Sequence, residues 1–395
     1  MVTEKSIAAS QGLDRAREVY LDRSRRVKEL KDEGKRIIGY IDIFPVLEML
    51  TALDMVPYCM LGDMNEPVTR ADSCLPPMIC PFLRSVMDSG LKGKYDFLDG
   101  VVLAHTCEVA EKMTHIWRIY LKPPYLHFID TPHTTHPTAL AHFKDLLNDF
   151  KKTLESFAGR ELSREKLRSA IAAHNRQRQL VGELYDLRKP DPPLISGAEF
   201  VQTNVALISL PVEEGNELLR QIIAEVKQRR NSPARQPARL LVWGSIIDNT
   251  ALFEMIESIG ANVVMDDTSM GSRAYMKLVE LTEDPLDGLA YHYLVDLRSP
   301  RTFRETPLTE NKRKDYMTDL ENRFSHIRDY AKEWNTNGVI LQVLRYCDTH
   351  AYEVPALSHY LDSIGLPSLY LEYDYTAAAL AQLRTRIQAF LEIIS

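Results

Sequence analysis

One arrangement of apolar and polar positions occurs twice along the chain. Arg36-Ile-Ile-Gly-Tyr-Ile-Asp-Ile-Phe44 is an apolar run of strand length, Pro45 to Leu53 has helical spacing with proline in its first turn, and Val56 to Leu61 is a second apolar run. This predicts strand, helix, strand. Further on, Arg239-Leu-Leu-Val-Trp-Gly244, the amphipathic stretch Asn249 to Ile259 closed by Gly260, and Asn262 to Met265 running into Asp266 and Asp267 repeat the plan. A second pair matches as well. Asp99-Gly-Val-Val-Leu-Ala-His-Thr-Cys107 parallels Asn337-Gly-Val-Ile-Leu-Gln-Val-Leu-Arg-Tyr-Cys347, and each is followed by a helix and a strand, Tyr125 to Asp130 and Ser368 to Glu372. Right-handed crossovers place helices on both faces of a parallel sheet. The pattern therefore predicts an α/β fold of two Rossmann-like parallel-sheet lobes related by internal duplication.

The remaining segments read as helical. Leu13 to Gly34 is polar with scattered apolar residues, which predicts one surface helix ending at Gly34 and serving as a lid or partner contact. Ala139 to Lys189 is rich in Leu, Lys, Glu and Arg at helical spacing, with Gly159 ending one helix and Ser163 capping the next. Lys189-Pro-Asp-Pro-Pro193 and Asn231-Ser-Pro-Ala-Arg-Gln-Pro237 bracket a further helical stretch. The expected organisation is an N-terminal helical segment over 1–35, lobe 1 over 36–136, a helical connector over 137–237 and lobe 2 over 238–395.

Composition narrows the class. With 395 residues, 45% hydrophobic and 26% charged, the chain is an ordinary globular one. A net charge of −7 argues against nucleic acid as a partner. No segment approaches the roughly 18 apolar residues of a membrane span, and Met1 to Ala8 has no apolar signal core, so no membrane partner and a cytoplasmic location are expected. Five cysteines are too few, and odd in number, for a secreted disulfide framework.

Those thiols carry the candidate chemistry. Cys107 and Cys347 each lie just past an apolar strand and before a helix, at equivalent positions of the two lobes. Ligands in open α/β sheets bind beyond the carboxyl ends of the strands, so both thiols should face the cleft between lobes. Cys80, in Ser73-Cys-Leu-Pro-Pro-Met-Ile-Cys-Pro81, sits at a proline-flanked helix start, where the macrodipole is expected to lower a thiol pKa. Three such thiolates could hold a [4Fe-4S] cluster with one iron left for another ligand. Buried, inert cysteines are the competing reading. Cys74 rivals Cys80 as a ligand, and Cys59, inside an apolar strand, reads as core.

A zinc site is the other metal reading, with His127, His133 and His136 close in sequence around Asp130. Histidines in such a post-strand turn are more often surface hydrogen-bonders. No Walker loop and no Gly-x-Gly-x-x-Gly follows either first strand, so nucleotide chemistry must come from another chain.

Taken together, Ile79-Cys-Pro-Phe-Leu-Arg84, Leu98 to Cys107 with Trp117, Phe128-Ile-Asp-Thr-Pro132, Gly260 to Asp267 with Gly271 and Arg273, Arg345-Tyr-Cys-Asp348 and Gln382 to Phe390 resemble the benzoyl-CoA reductase and 2-hydroxyacyl-CoA dehydratase family. The resemblance covers most of the chain. It implies a [4Fe-4S] cluster between the lobes, with ligands at Cys80, Cys107 and Cys347 and one iron open or bound by a non-cysteine ligand. It also implies a related sister subunit, a separate ATP-hydrolysing iron-sulfur activator and an acyl-CoA substrate. Lys92 to Gly100 and Met113 to Arg118 look most like the smaller related subunit of ATP-dependent benzoyl-CoA reductase, with the dehydratase subunits close. Acid or base candidates are His105 and Glu108 beside Cys107, and Asp348 and His350 beside Cys347; the competing role for each is to orient a ligand or cap a helix. The reading of another class is a non-catalytic binding or scaffold subunit with structural thiols.

Overall fold

The computed structural model describes residues 11–304 and 315–394, so the start read at Met1 to Ala8 and the final Ser395 lie outside the described residues. Two four-stranded sheets, every pairing parallel, form the two lobes. The first comprises β1 (Arg36–Tyr40), β2 (Met55–Cys59), β3 (Gly100–Ala104) and β4 (Leu126–Ile129) in the order β2-β1-β3-β4. The second comprises β5 (Ala238–Gly244), β6 (Ala261–Asp267), β7 (Gly338–Leu344) and β8 (Ser368–Tyr373) in the order β6-β5-β7-β8. The duplicated pattern is thus a duplicated topology. Strands β3, β5, β6 and β7 are buried along their whole length, which is why they read as unbroken apolar runs rather than alternations.

Helices α1 (Gln11–Leu21) and α2 (Ser24–Asp32) precede the first lobe, which carries α3 (Leu47–Ala52), α4 (Pro81–Leu91) and α5 (Glu108–Tyr120). Between the sheets run α6 (Pro137–Ala158), α7 (Arg164–Asp186), α8 (Gly197–Leu207) and α9 (Val212–Gln228). The second lobe carries α10 (Ala251–Glu257), α11 (Ser272–Tyr275), α13 (Tyr316–Glu333), α14 (Asp348–Ala351) and α15 (Val354–Ser363), then α16 (Ala377–Ala381) and α17 (Arg384–Ile394) after β8, while α12 (Pro285–Tyr291) crosses over to pack on α6 in the core of the first lobe. Among the described residues no helix is long and apolar enough to cross a membrane. Gly159 ends α6 at φ +71°, and the Ser163 hydroxyl accepts from Lys166 N at 3.2 Å to open α7, as their sequence positions predict.

Two expectations change. The single surface helix over Leu13 to Gly34 is two helices, because Arg23 turns inward at the break: its guanidinium donates to the Cys59 carbonyl at 2.6 Å and Ser209 Oγ at 2.9 Å, and lies over the Tyr58 ring. The segment is anchored to its own chain at this break. The amides of Gly12 and Leu13 donate to the Glu225 carboxylate at 2.9 and 3.0 Å, an acidic cap supplied by α9. The strand expected to run to Phe44 ends at Tyr40, where the chain leaves the sheet through Asp42 at φ +64°.

Helix α7 joins the lobes with buried charge. Arg178 donates to Glu48 of α3 at 2.8 Å, and Tyr293 donates to the other Glu48 oxygen at 2.8 Å. Just past α7, Arg188 donates to Asp266 at 3.3 Å and to the Val263 carbonyl at 2.9 Å, with its guanidinium over Phe200. Burial by itself would raise the Glu48 pKa, but the Arg178 and His174 charges outweigh it and bring the carboxyl down to about 2. Since this folded pKa lies below that of the unfolded chain, the stabilisation is present above the ordinary carboxyl range and is lost as pH falls toward 2. Glu48→Gln, which leaves Arg178 buried without a counter-charge, is expected to lower unfolding stability by about 3–5 kcal/mol in urea denaturation, while Glu48→Met with Arg178→Met loses less than that single change. A single-site loss below about 1 kcal/mol contradicts this role.

Candidate functional site

Each sheet changes direction once in strand order, between β1 and β3 in the first lobe and between β5 and β7 in the second. At such a switch point the loops leave in opposite directions and open a crevice beyond the carboxyl ends. Here the two crevices meet in one cavity. Its lining takes Ile41 and Asp42 from the end of β1, Thr106 and Cys107 from the end of β3, Ser245 and Ile246 from the end of β5, and Cys347 with His350 from the end of β7. Cys80 completes it from the start of α4.

All three thiols occupy helix N-cap positions: Cys80 before α4 with Pro81 following, Cys107 before α5, and Cys347 before α14. The Ala110 amide donates to Cys107 Sγ at 3.4 Å. The expectation that the helix start lowers the Cys80 pKa is overturned. Burial, reinforced by the neighbouring Cys347 charge, pushes this thiol well above its ordinary value against the opposing amides of Leu83 and Phe82. Burial likewise raises Cys107, and it pushes Cys347 up to about 11. Packed together in a shielded cavity, the thiols stay protonated unless a cation takes the protons' place. Cys59 is core as expected, pushed up to about 12 by burial, and Cys74 bonds the Ala71 carbonyl at 3.5 Å. Neither lines the cavity.

His350 has a fixed tautomer. Arg273 Nη1 lies 2.9 Å from His350 Nε2, and because a guanidinium only donates, Nε2 must accept. The proton then sits on Nδ1, 3.3 Å from Cys347 Sγ. Arg273 is held by Asp267 at 3.1 and 3.2 Å and by the Gly244 carbonyl at 2.9 Å. Burial first, then the Arg273 charge, keep the His350 pKa well below its ordinary value, so the ring is neutral. Sequence reasoning placed His350 beside Cys347 as an acid or base; the geometry makes it an N–H donor aimed at sulfur.

Asp42 was missed. It lines both the thiol cavity and a second cavity, and Ser269 is the other residue shared between them. The second cavity is lined by apolar side chains such as Leu47, Ile208 and Met270 and contains two shielded donors without a partner, Gln177 Nε2 and Arg178 Nε. Burial raises the Asp42 pKa, with Ser269 and the Ile43 amide opposing. A lone acid inside the apolar run Ile41-Asp-Ile-Phe44 was the available signal.

The other expected residues lie elsewhere. Asp348 opens α14, and His105 and Glu108 flank Cys107, but none of the three lines the thiol cavity. His105 instead faces Asp130 at 2.7 Å and stacks edge-on against His133. The zinc set does not assemble: His127 bonds Thr153 at 3.0 Å, and His136 caps α6 through Thr138. Trp117 is buried in lobe 1 beside Tyr95, away from both cavities.

A family model described as 2-hydroxyglutaryl-CoA dehydratase, D-component, matches residues 43–394. The chain is 24% identical over 367 residues to a benzoyl-CoA reductase subunit of Thauera aromatica, covering 92% of each chain. It is 24% identical over 371 residues to the (R)-phenyllactyl-CoA dehydratase beta subunit of Clostridium sporogenes, covering 93% of this chain and 94% of that one. It is 27% identical over 378 residues to the putative dehydratase subunit YjiM of Escherichia coli strain K12, with the same coverage. The relatives agree on an enzyme subunit and divide on reductase or dehydratase.

Alkylation of metal-free protein across pH tests the thiol environment. Cys80 is expected to label more slowly than Cys74 at pH 8, with labelling of Cys347 rising toward pH 11, by mass spectrometry of the peptides. A Cys80 that reacts fastest would mean that the helix start outweighs burial.

Proposed function

Since the chain belongs to the 2-hydroxyglutaryl-CoA dehydratase D-component family, whose members include benzoyl-CoA reductase and 2-hydroxyacyl-CoA dehydratase subunits, we propose that it is the iron-sulfur subunit of an anaerobic, ATP-dependent benzoyl-CoA reductase-type enzyme. The observation that carries this is the meeting of Cys80, Cys107 and Cys347 in one cavity where the two switch points face each other.

The donor set fits an iron-sulfur cluster. Three thiols from three separate helix starts line one cavity with apolar walls, a soft donor set that suits iron and sulfide. Cys80, Cys107 and Cys347 would hold a [4Fe-4S] cluster, which would supply single low-potential electrons.

The chain's own residues do the rest. Adding one electron to a thioester or its aromatic ring gives a radical anion that bulk water protonates, so the site must be dry. Ile41, Phe82, Leu83, Ile246 and Leu344 supply apolar walls. Asp42, kept protonated to higher pH than an ordinary carboxyl, holds a proton where the two cavities meet, and the second cavity takes the acyl group. The His350 N–H steadies the Cys347 sulfur and thereby tunes the electron donor. The relatives, themselves named as subunits, support a sister subunit, and the absence of a phosphate-binding loop from the sequence supports a separate ATP-hydrolysing activator.

A 2-hydroxyacyl-CoA dehydratase is the second reading, favoured by dehydratase relatives matching over the same span at the same identity. In the segment that resembles the reductase, Met113 and Trp117 pack in the core and no residue lines either cavity, so it does not bear on the acyl group.

Incubating the complex and its activator with ATP, a reductant and either benzoyl-CoA or a 2-hydroxyacyl-CoA decides between them. Ring reduction is expected, and turnover of the hydroxyacyl thioester alone overturns the reductase. Asp42→Asn, which tolerates the positive φ, is expected to keep its iron and lower turnover by about 10²–10⁴-fold. Since the raised folded pKa belongs to an acid, wild-type turnover should fall as pH rises through it. An unchanged rate in Asp42→Asn removes that residue from the proton path.

A further inference from the structure

Beside the first turn of α5, and not among the residues lining the thiol cavity, His105, Glu108 and His133 bring three donor atoms within 4.8 Å of one another. His105 Nδ1 lies 2.7 Å from Asp130 Oδ1, and because a carboxylate only accepts, Nδ1 is the donor of that contact. Nε2 is the ring atom left to meet a further partner. That nitrogen is shielded from solvent, has no hydrogen-bond partner, and faces Glu108 Oε1 at 3.7 Å. A shielded ring nitrogen and a carboxylate oxygen facing each other without a hydrogen bond leave a gap that a shared cation fits. The His133 ring closes the third side, edge-on to His105 with centroids 4.4 Å apart.

We propose that His105, Glu108 and His133 form a binding site for a first-row divalent transition metal of the zinc or ferrous type, with water completing the coordination. Two imidazoles and one carboxylate are a borderline donor set that suits these ions and leaves positions open. Asp130 stands behind His105 as the carboxylate that orients a metal-bound imidazole. Charge favours the ion as well: Glu108 and Asp130 carry two negative charges against the single positive charge of the neighbouring Arg301. The exposed Glu108 side chain gives access from solvent.

The site lies where the lobes are strapped together. His133 belongs to the loop between β4 and α6, and this loop is bridged to a segment of lobe 2. Phe303 N donates to the His133 carbonyl at 2.7 Å, Thr135 N donates to the Phe303 carbonyl at 3.2 Å, and Arg301 donates to the Thr131 carbonyl at 2.7 Å. Ser299 of the same lobe 2 segment lines the thiol cavity. An ion held between His133 and the first turn of α5 therefore ties the strap to the helix that Cys107 opens. Its role is to hold that wall of the cavity. This inference stands on a different residue set from the thiols.

The test uses Co²⁺ alone as the probe, added to the anaerobically purified protein with its native metal intact, together with elemental analysis of zinc and non-cluster iron. About one divalent ion per chain is expected in total, the cobalt fraction showing weak visible bands without thiolate charge transfer. His133→Ala and Glu108→Gln should each lose it, and Asp130→Asn should weaken it about 10–100-fold. Glu108→Gln alters an exposed side chain and should leave the circular dichroism unchanged, which separates loss of the ligand from loss of the fold. Three results overturn the proposal: no saturable ion, an ion carrying intense thiolate charge transfer, or an ion retained in both His133→Ala and Glu108→Gln.

Discussion

Two parallel sheets of the same strand order present their carboxyl ends to one another, and the arrangement of the site follows from that constraint. A parallel sheet opens one crevice, at its switch point, and helices starting there direct their N-caps into it. Facing two such crevices makes a shielded cavity whose walls come from four strand ends and whose sulfurs come from three helix starts. Neither lobe alone supplies the set: Cys80 and Cys107 belong to the first and Cys347 to the second. The cavity is therefore only as well defined as the contact between lobes.

That contact is held by charge as well as by apolar packing. Helix α7 reaches lobe 1 through Arg178 and Glu48, and the turn after it reaches lobe 2 through Arg188 and Asp266. Within lobe 2, Asp267 holds Arg273, Arg273 fixes the His350 tautomer, and His350 points a proton at Cys347. Neighbouring aspartates at the end of β6 thus divide two tasks, one structural and one directed at the site. Buried ion pairs cost desolvation, and their retention at these positions fits a need to fix geometry more than a need for stability.

Much of this was legible in the sequence for topological reasons. Cys107 and Cys347 recur at the same point of a repeated strand and helix plan, and topology alone sends that point to the cleft. The choice of Cys80 over Cys74 was not legible from position: both lie in the long β2–α4 connection, and only packing shows which one reaches the cavity. The Cys80 expectation failed on magnitude, since a helix start stabilises a thiolate less than this depth of burial opposes it. Arg23 read as surface because its partners, Cys59 and Ser209, are distant in sequence. The His105 and Glu108 pair was noticed for its place beside Cys107, but the side chains turn to Asp130 and His133, a direction that spacing does not encode.

The central claim is that three cysteines from two lobes bind one multinuclear iron site. Crystals of the anaerobically purified complex, with anomalous scattering recorded on both sides of the iron edge, test it directly. The account predicts a compact iron peak enclosed by Cys80, Cys107 and Cys347 in the cavity between the sheets. Iron beside Cys59 or Cys74, or an iron-free cavity in active protein, would contradict it.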